Sequence, residues 1–315
     1  MENNIKTEER KTILAYLAVC IFWGSTYLAI RIGVSELPPT IFAGIRFIIA
    51  GGLMLGYAKF KGLAMPKNSS EVLKISIVGI FLLVGGNGGV VWAETRVSSG
   101  IASLIVATVP LFMAIIESLI PSKAKLNKKG WLGLFIGFAG VAYLVLSDWN
   151  NASVDIIGMM LLIGGAFSWA LGSVYSKSFT SSASTISNIA IQMLSGGICL
   201  SIIGTFLGEV QKIHPTPKGL GALLYLVVFG SIIGYSCYIY ILQKWPAAKA
   251  GTYAYINPPV AVLLGAIILD EVISIKIVLA TIIILCGVIL VQRSKVKVVS
   301  TSEKSLKYIE NSSAE

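Results

Sequence analysis

Residues 12–32 read TILAYLAVCIFWGSTYLAIRI, twenty-one positions whose only charge, Arg31, sits at the far end. At about 1.5 Å of rise per residue such a run spans about 30 Å as a helix, the thickness of a bilayer's hydrocarbon. It could pose as a secretory signal, but it lacks a small-residue cleavage site and recurs later in the chain, so it reads as a retained helix. The remaining sequence repeats the pattern. Of 315 residues 55% are hydrophobic and 13% charged, with mean hydropathy +0.82, whereas soluble domains carry about 25% charge. A water-soluble globular protein is excluded, and an all-α polytopic membrane protein is expected.

Apolar runs between charged breaks give ten candidate spans: 12–32, 40–57, 72–92, 100–120, 130–146, 156–175, 185–207, 220–242, 251–269 and 274–292. The net charge of +10 would suggest nucleic acid in a soluble protein. Here the basic residues lie in short loops, where the positive-inside rule governs them. Nineteen of the 25 lysines and arginines fall on one side if the N-terminus is placed in the cytoplasm, so both termini are expected there and no nucleic-acid partner is. Residues 1–11 form a cytoplasmic N-terminus. Residues 294–315, rich in Ser, Lys and Glu, read as a disordered cytoplasmic tail. Cys20, Cys199, Cys237 and Cys286 each stand alone in an apolar run, and His214 is the single histidine. Disulfides, a metal site and a cofactor are therefore not expected.

The chain matches itself at an offset near 147. Phe22-Trp23 with Arg31 recurs as Ser168-Trp169 with Lys177, Arg46 falls on Gln192, and Gly51 falls on Gly197. Gly86, Arg96, Gly100 and Pro110 fall on Gly234, Lys244, Ala248 and Pro258, and Gly140-Val141 on Gly287-Val288. Two repeats follow, 12–147 and 156–293. Each holds five spans, an odd number, so the second must enter the membrane inverted. Inverted repeats underlie alternating access in many secondary transporters.

The stretches Phe22-Trp23-Gly24-Ser25-Thr26, Arg46-Phe47, Ser99-Gly100-Ile101-Ala102 and Val109-Pro110-Leu111-Phe112 stand in one order with Tyr255-Ile256-Asn257-Pro258-Pro259, Gly265 and Glu271. In that order and spacing they resemble the EamA branch of the drug/metabolite transporter superfamily, over residues 12 to 293, and within it YedA-like bacterial inner-membrane permeases. The resemblance implies ten helices in two inverted five-helix repeats, a central cavity, and export of amino acids, related metabolites or drugs. The chain departs from the family pattern after its fourth span, where Pro121-Ser122-Lys123 stands in place of Gly-Glu, while Asp270-Glu271 is kept in the second repeat.

A polar side chain at membrane depth costs a few kcal/mol unless it faces a cavity or finds a partner. Arg46 either holds a substrate carboxylate through its planar fork or bonds backbone carbonyls as a structural group. Glu94 either couples transport to protons or is an exposed helix-end carboxylate, with Asn87 seven residues before it on the same face. Glu117, near the end of the fourth span, is expected to snorkel. Asp148, Asp155, Asp270 and Glu271 read as solvated loop charges, and Trp92 and Trp149 as interface anchors.

Trp23 with Tyr27, Trp169 with Ser173, Ser231 with Tyr235 and Tyr238, and Tyr253 with Asn257 lie at helical spacing, each pair or trio on one helix face. Such stripes suit a cavity that stacks an organic solute, and they equally suit ordinary helix packing. Gln192, the counterpart of Arg46, belongs with this candidate set. Pro110, Pro258 and Pro259 are hinge candidates, and Gly85-Gly86 and Gly88-Gly89 allow close approach around Asn87. The leading reading is a secondary transporter of small organic solutes and not an enzyme, with membrane lipids around it, protons as the candidate coupling ion and homodimer formation left open. A channel or gradient-driven facilitator is the alternative, and a receptor or scaffold a more distant one. No P-loop or HExxH occurs.

Overall fold

The computed structural model describes residues 2–97, 102, 105–120, 124–146, 155–269, 275–294 and 296–298. Its helices are α1 (Glu2–Glu36), α2 (Pro39–Phe60), α3 (Ser69–Ala93), α4 (Val109–Leu119), α5 (Lys128–Leu146), α6 (Ile156–Ser176), α7 (Thr185–Phe206), α8 (Pro217–Lys244), the short α9 (Ala247–Gly251), α10 (Tyr253–Leu269) and α11 (Ile275–Gln292). Among the described residues six of them, α1, α2, α3, α6, α7 and α8, are long and apolar enough to cross a membrane. Their outer surface carries exposed Leu14, Leu53, Phe60, Ile157 and Phe206. Such a surface is tolerable only where the surrounding solvent is lipid.

Local chemistry sets the helix starts. Asn68, Asp155, Ser184 and Thr216 each accept a backbone N–H from the first turn of the helix that follows, as N-caps do. Pro39 and Pro217 occupy first-turn positions, where a missing N–H is harmless. Asp155 is held below the usual carboxylate range by the Gly158 N–H and by Arg96, which it meets at 3.2 Å.

Hydrogen bonds between loops define two faces. On one, called the near face, Lys244 meets Glu8 at 3.2 Å and Ser184 N donates to Ala64 O. On the far face Thr216 Oγ1 donates to Glu36, and Ile41 N donates to Glu209 Oε2 at 2.8 Å. Helix α1 runs from near to far, and α6, its counterpart in the second half, runs from far to near. The packing partners exchange under the same correspondence: α2 packs on α7 and α5 on α11, while α3 packs on α6 as α8 does on α1.

The α2–α7 contact is close because glycines line it. A Cβ at Gly197 would lie 2.8 Å from Ile48 N and 2.9 Å from Gly44 O, backbone atoms that cannot move aside. Small residues of this kind let membrane helices gain dispersion energy where no hydrophobic force drives them together.

Several details depart from the sequence reading. The third and eighth spans each contain a π-helical stretch, Ile80–Gly88 and Leu226–Tyr235, invisible to hydropathy because widening a turn does not alter which residues are apolar. The fourth span turns at Ala107-Thr108 instead of running unbroken. Pro110 therefore sits in the first turn of α4 and interrupts nothing, while Pro258 and Pro259 lie inside α10. Part of the supposed tail is ordered: Val296–Val298 pairs antiparallel with Ala124–Leu126, with Lys125 opposite Lys297. Asp148, Trp149, Asp270 and Glu271 lie outside the described residues.

Gly197→Ala is expected to destabilise the protein by about 1–3 kcal/mol through overpacking against backbone. Gly52, whose added Cβ would meet nothing within 4 Å, is expected to gain about 0.5–1 kcal/mol on the same change through helix propensity. Thermal unfolding of the two variants in one detergent checks the opposite signs.

Candidate functional site

The two π stretches border one cavity, Leu83, Gly86 and Asn87 from the first and Gly230 and Tyr235 from the second. A π turn is wider than an α turn and recurs at functional sites. Here it offers carbonyls to the neighbouring helix: Trp23 Nε1 donates to Gly230 O at 2.9 Å, and Ser168 Oγ donates to Phe81 O at 2.8 Å. The indoles nest where side chains are missing. A Cβ at Gly234 would lie 2.5 Å from Trp23 Nε1, and one at Gly86, its repeat counterpart, 2.6 Å from Trp169 Cε3. The glycine pairing seen in the sequence thus seats one tryptophan from each half.

Between these elements lies a cavity with about 670 Å³ of empty space, counting its mouth. Trp23, Tyr27, Arg46, Asn87, Trp169, Tyr235, Tyr253 and Asn257 all line it. The aromatic rings interlock. Trp23 meets Tyr253 at 4.8 Å and Trp169 at 5.4 Å between centroids, both edge to face, the arrangement ring quadrupoles favour. The walls are completed by Thr26, Ile30, Phe47, Leu83, Val90, Val106 and Val109, with Gly165 and Ala166. None of these is expected in the cavity from the sequence, although Thr26, Phe47 and Val109 stand in the family-like stretches. Gly165 and Ala166 precede Trp169 by four and three residues, so the same helical spacing would have found them. The apolar wall carried no distinguishing signal in a chain that is apolar throughout.

Three candidates stand one layer behind the cavity. Tyr238 accepts from Trp169 Nε1 at 3.1 Å and bonds the Ser173 hydroxyl at 2.5 Å, and both Tyr238 and Ser173 are fully buried. Gln192 Oε1 accepts the Tyr235 hydroxyl at 3.0 Å. Gln192 also lines a second void that opens among Ser181, Thr185, Asn188 and Gln243, beside the near-face loop. Of the hinge candidates, Pro110, Pro258 and Pro259 are absent from the cavity lining.

Arg46 is 3% exposed. Its Nε donates to Ser231 Oγ at 2.8 Å, its guanidinium lies 4.8 Å from the Phe47 ring centroid, and Nη1 has no hydrogen-bond partner among the described residues. No carboxylate pairs with it among the described residues. Asn87 Oδ1 and Asn257 Oδ1 are also buried without a hydrogen-bond partner among the described residues. A buried donor or acceptor left unpaired costs about 1–3 kcal/mol, and three such atoms belong to residues that line this one void.

Glu94 is 9% exposed and both its oxygens lack hydrogen-bond partners. The exposed helix end is thus not what is found; the carboxylate turns inward at the far end of α3, within electrostatic reach of Arg31. Glu117 does not snorkel. It is 3% exposed, and its two oxygens accept the N–H groups of Ala247 and Ala248 at 2.8 and 3.2 Å. Those N–H groups open α9, which has no side-chain cap of its own, and a carboxylate there is doubly favourable.

The EamA-like transporter family model matches residues 10–146 and again 156–293. The chain is 41% identical over 261 residues to the uncharacterized inner membrane transporter YedA of Escherichia coli K12, covering 82% of this chain and 83% of that protein. It is 26% identical over 283 residues to the uncharacterized transporter YvbV of Bacillus subtilis, covering 89% and 91%. A solved crystal structure superimposes with a TM-score of 0.72 at 18% identity, covering 89% of this chain and 96% of the other. That similarity speaks to fold alone.

Glu117→Gln replaces one acceptor by an amide donor aimed at a backbone N–H. It is expected to cost about 1–3 kcal/mol, read as a lower unfolding midpoint in detergent, whereas a snorkelling glutamate would tolerate the change.

Proposed function

The chain belongs to the EamA-like transporter family, and from that premise we propose that it is a secondary transporter exporting small organic solutes, amino acids or related metabolites, across the bacterial cytoplasmic membrane by alternating access. In this reading the ten spans are two inverted five-helix units, 12–147 and 156–293, with both termini in the cytoplasm. The duplicated family match and the exchanged packing partners support it. Nothing in the sequence resembles a P-loop, which disfavours ATP-driven transport within this chain.

The observation that carries the reading is Arg46: a buried guanidinium with one free edge, in a cavity walled by aromatic rings, without an acidic partner among the described residues. A solute carboxylate completes that edge by charge-assisted bonds while the rings stack its apolar part. Asn87 and Asn257 offer acceptor oxygens to its donors. Arg46→Ala is expected to lower efflux of carboxylate solutes from loaded proteoliposomes by about 10- to 100-fold, with Arg46→Lys between. Unchanged efflux in Arg46→Ala would remove the anchor from the proposal.

Glu94 is the proposed proton site, since a buried carboxylate without a hydrogen-bond partner favours protonation. Glu94→Gln is expected to abolish the dependence of efflux on an imposed pH gradient while solute exchange continues. Coupling that survives unaltered assigns the proton elsewhere.

A further inference from the structure

Arg46 is the eighth residue of α2 and Gln192 the eighth of α7; Asn87 is the nineteenth of α3 and Tyr235 the nineteenth of α8. Under the internal repeat, Arg46 therefore corresponds to Gln192 and Asn87 to Tyr235. In the second half the corresponding pair is bonded, Tyr235 donating to Gln192 Oε1 at 3.0 Å. In the first half it is not. Arg46 Nη1 and Asn87 Oδ1 are a donor and an acceptor, both buried, both on residues that line the central cavity, and both without a hydrogen-bond partner among the described residues.

The bonded pair has a definite place. Tyr235 lines the central cavity and Gln192 lines the near-face vestibule, so the bond between them forms part of the wall that separates the two voids. The unbonded pair lies toward the far face, because α2 begins there and α3 ends there. In inverted-repeat transporters access alternates by rocking or gating of one half against the other around a fixed site. A bond made in one half and missing in the other is then the visible trace of which half is closed.

We propose that the Gln192–Tyr235 bond and an Arg46–Asn87 bond are the two settings of one gate: the first closes the cavity from the near face, the second closes it from the far face, and they alternate. The proposal rests on the alternating-access reading above. Opening the near face breaks Tyr235 from Gln192 and joins vestibule to cavity. Closing the far face brings Arg46 Nη1 onto Asn87 Oδ1, and opening it releases the same two atoms to the solute. The π stretches provide the slack. Tyr235 ends one of them and Asn87 lies within the other, and passing the extra residue along a helix turns what lies beyond it by about 100°.

The test uses the full chain with its four cysteines replaced by serine and one reporter thiol introduced by Ala166→Cys, a position buried against the cavity. Labelling by a membrane-impermeant maleimide is timed in oriented vesicles of both senses, and Ser181→Cys in the vestibule identifies which sense presents the near face. Gln192→Leu is expected to raise near-face labelling of the reporter relative to far-face labelling by about five- to tenfold, as loss of one buried hydrogen bond allows. Tyr235→Phe, a gentler removal of the same bond, is expected to shift the ratio the same way. Asn87→Leu, which deprives the far gate of its acceptor, is expected to shift it oppositely. Shifts in the same direction from both halves, or an unchanged ratio, would overturn the gate while labelling from both faces left alternating access standing. Labelling from one face only, in every variant, would overturn both.

Discussion

A backbone carbonyl or guanidinium without a partner inside hydrocarbon costs several kcal/mol, because no water is at hand to replace the lost bond. That constraint makes the chain helical, and it also decides where the helices deviate. The π stretches in α3 and α8 are tolerable because side chains from α6 and α1 reach the carbonyls they present, Ser168 to Phe81 and Trp23 to Gly230. The N–H groups that begin α9, buried at the end of α4, are tolerable because Glu117 accepts them. Against this background of satisfied groups the exceptions stand out, and three of them surround a single void.

The aromatic cluster beneath that void is doubly held. Trp23 and Trp169 touch edge to face, each is seated against a glycine of the other half's π-bearing helix, and Tyr238 ties the second indole to Ser173. The cluster therefore belongs to both halves at once. The rings at the floor of the cavity are fixed from both halves.

Much of this is legible in the residues. The offset near 147 pairs the seating glycines Gly86 and Gly234 in advance, because repeat symmetry acts on whole helices and survives sequence drift. Helical spacing brings Trp23, Tyr27, Tyr235, Tyr253 and Asn257 to one cavity. It does not separate lining from support: Ser173 and Tyr238 share the stripe yet stand behind it, since a helix face about 100° wide spans more than one layer. The burial of Glu117 and Glu94 is hidden from the sequence because distance along a helix does not report what packs over it. Short α9 covers the first, and the far end of α3 turns the second inward. Pro110 reads as a break because the turn before it, at Ala107-Thr108, has no hydropathy signature.

The small ribbon at the near face orders the chain in time. Strand Val296–Val298 follows the last helix, yet its partner, Ala124–Leu126, was translated some 170 residues earlier. The earlier strand has no mate until α11 is in place beside α5, so pairing registers completion. Two backbone segments, one between the fourth and fifth spans and one beyond the last, clamp the peripheral α5–α11 pair only once synthesis has delivered both, and a nascent chain stopped short of residue 296 would leave a bare strand edge.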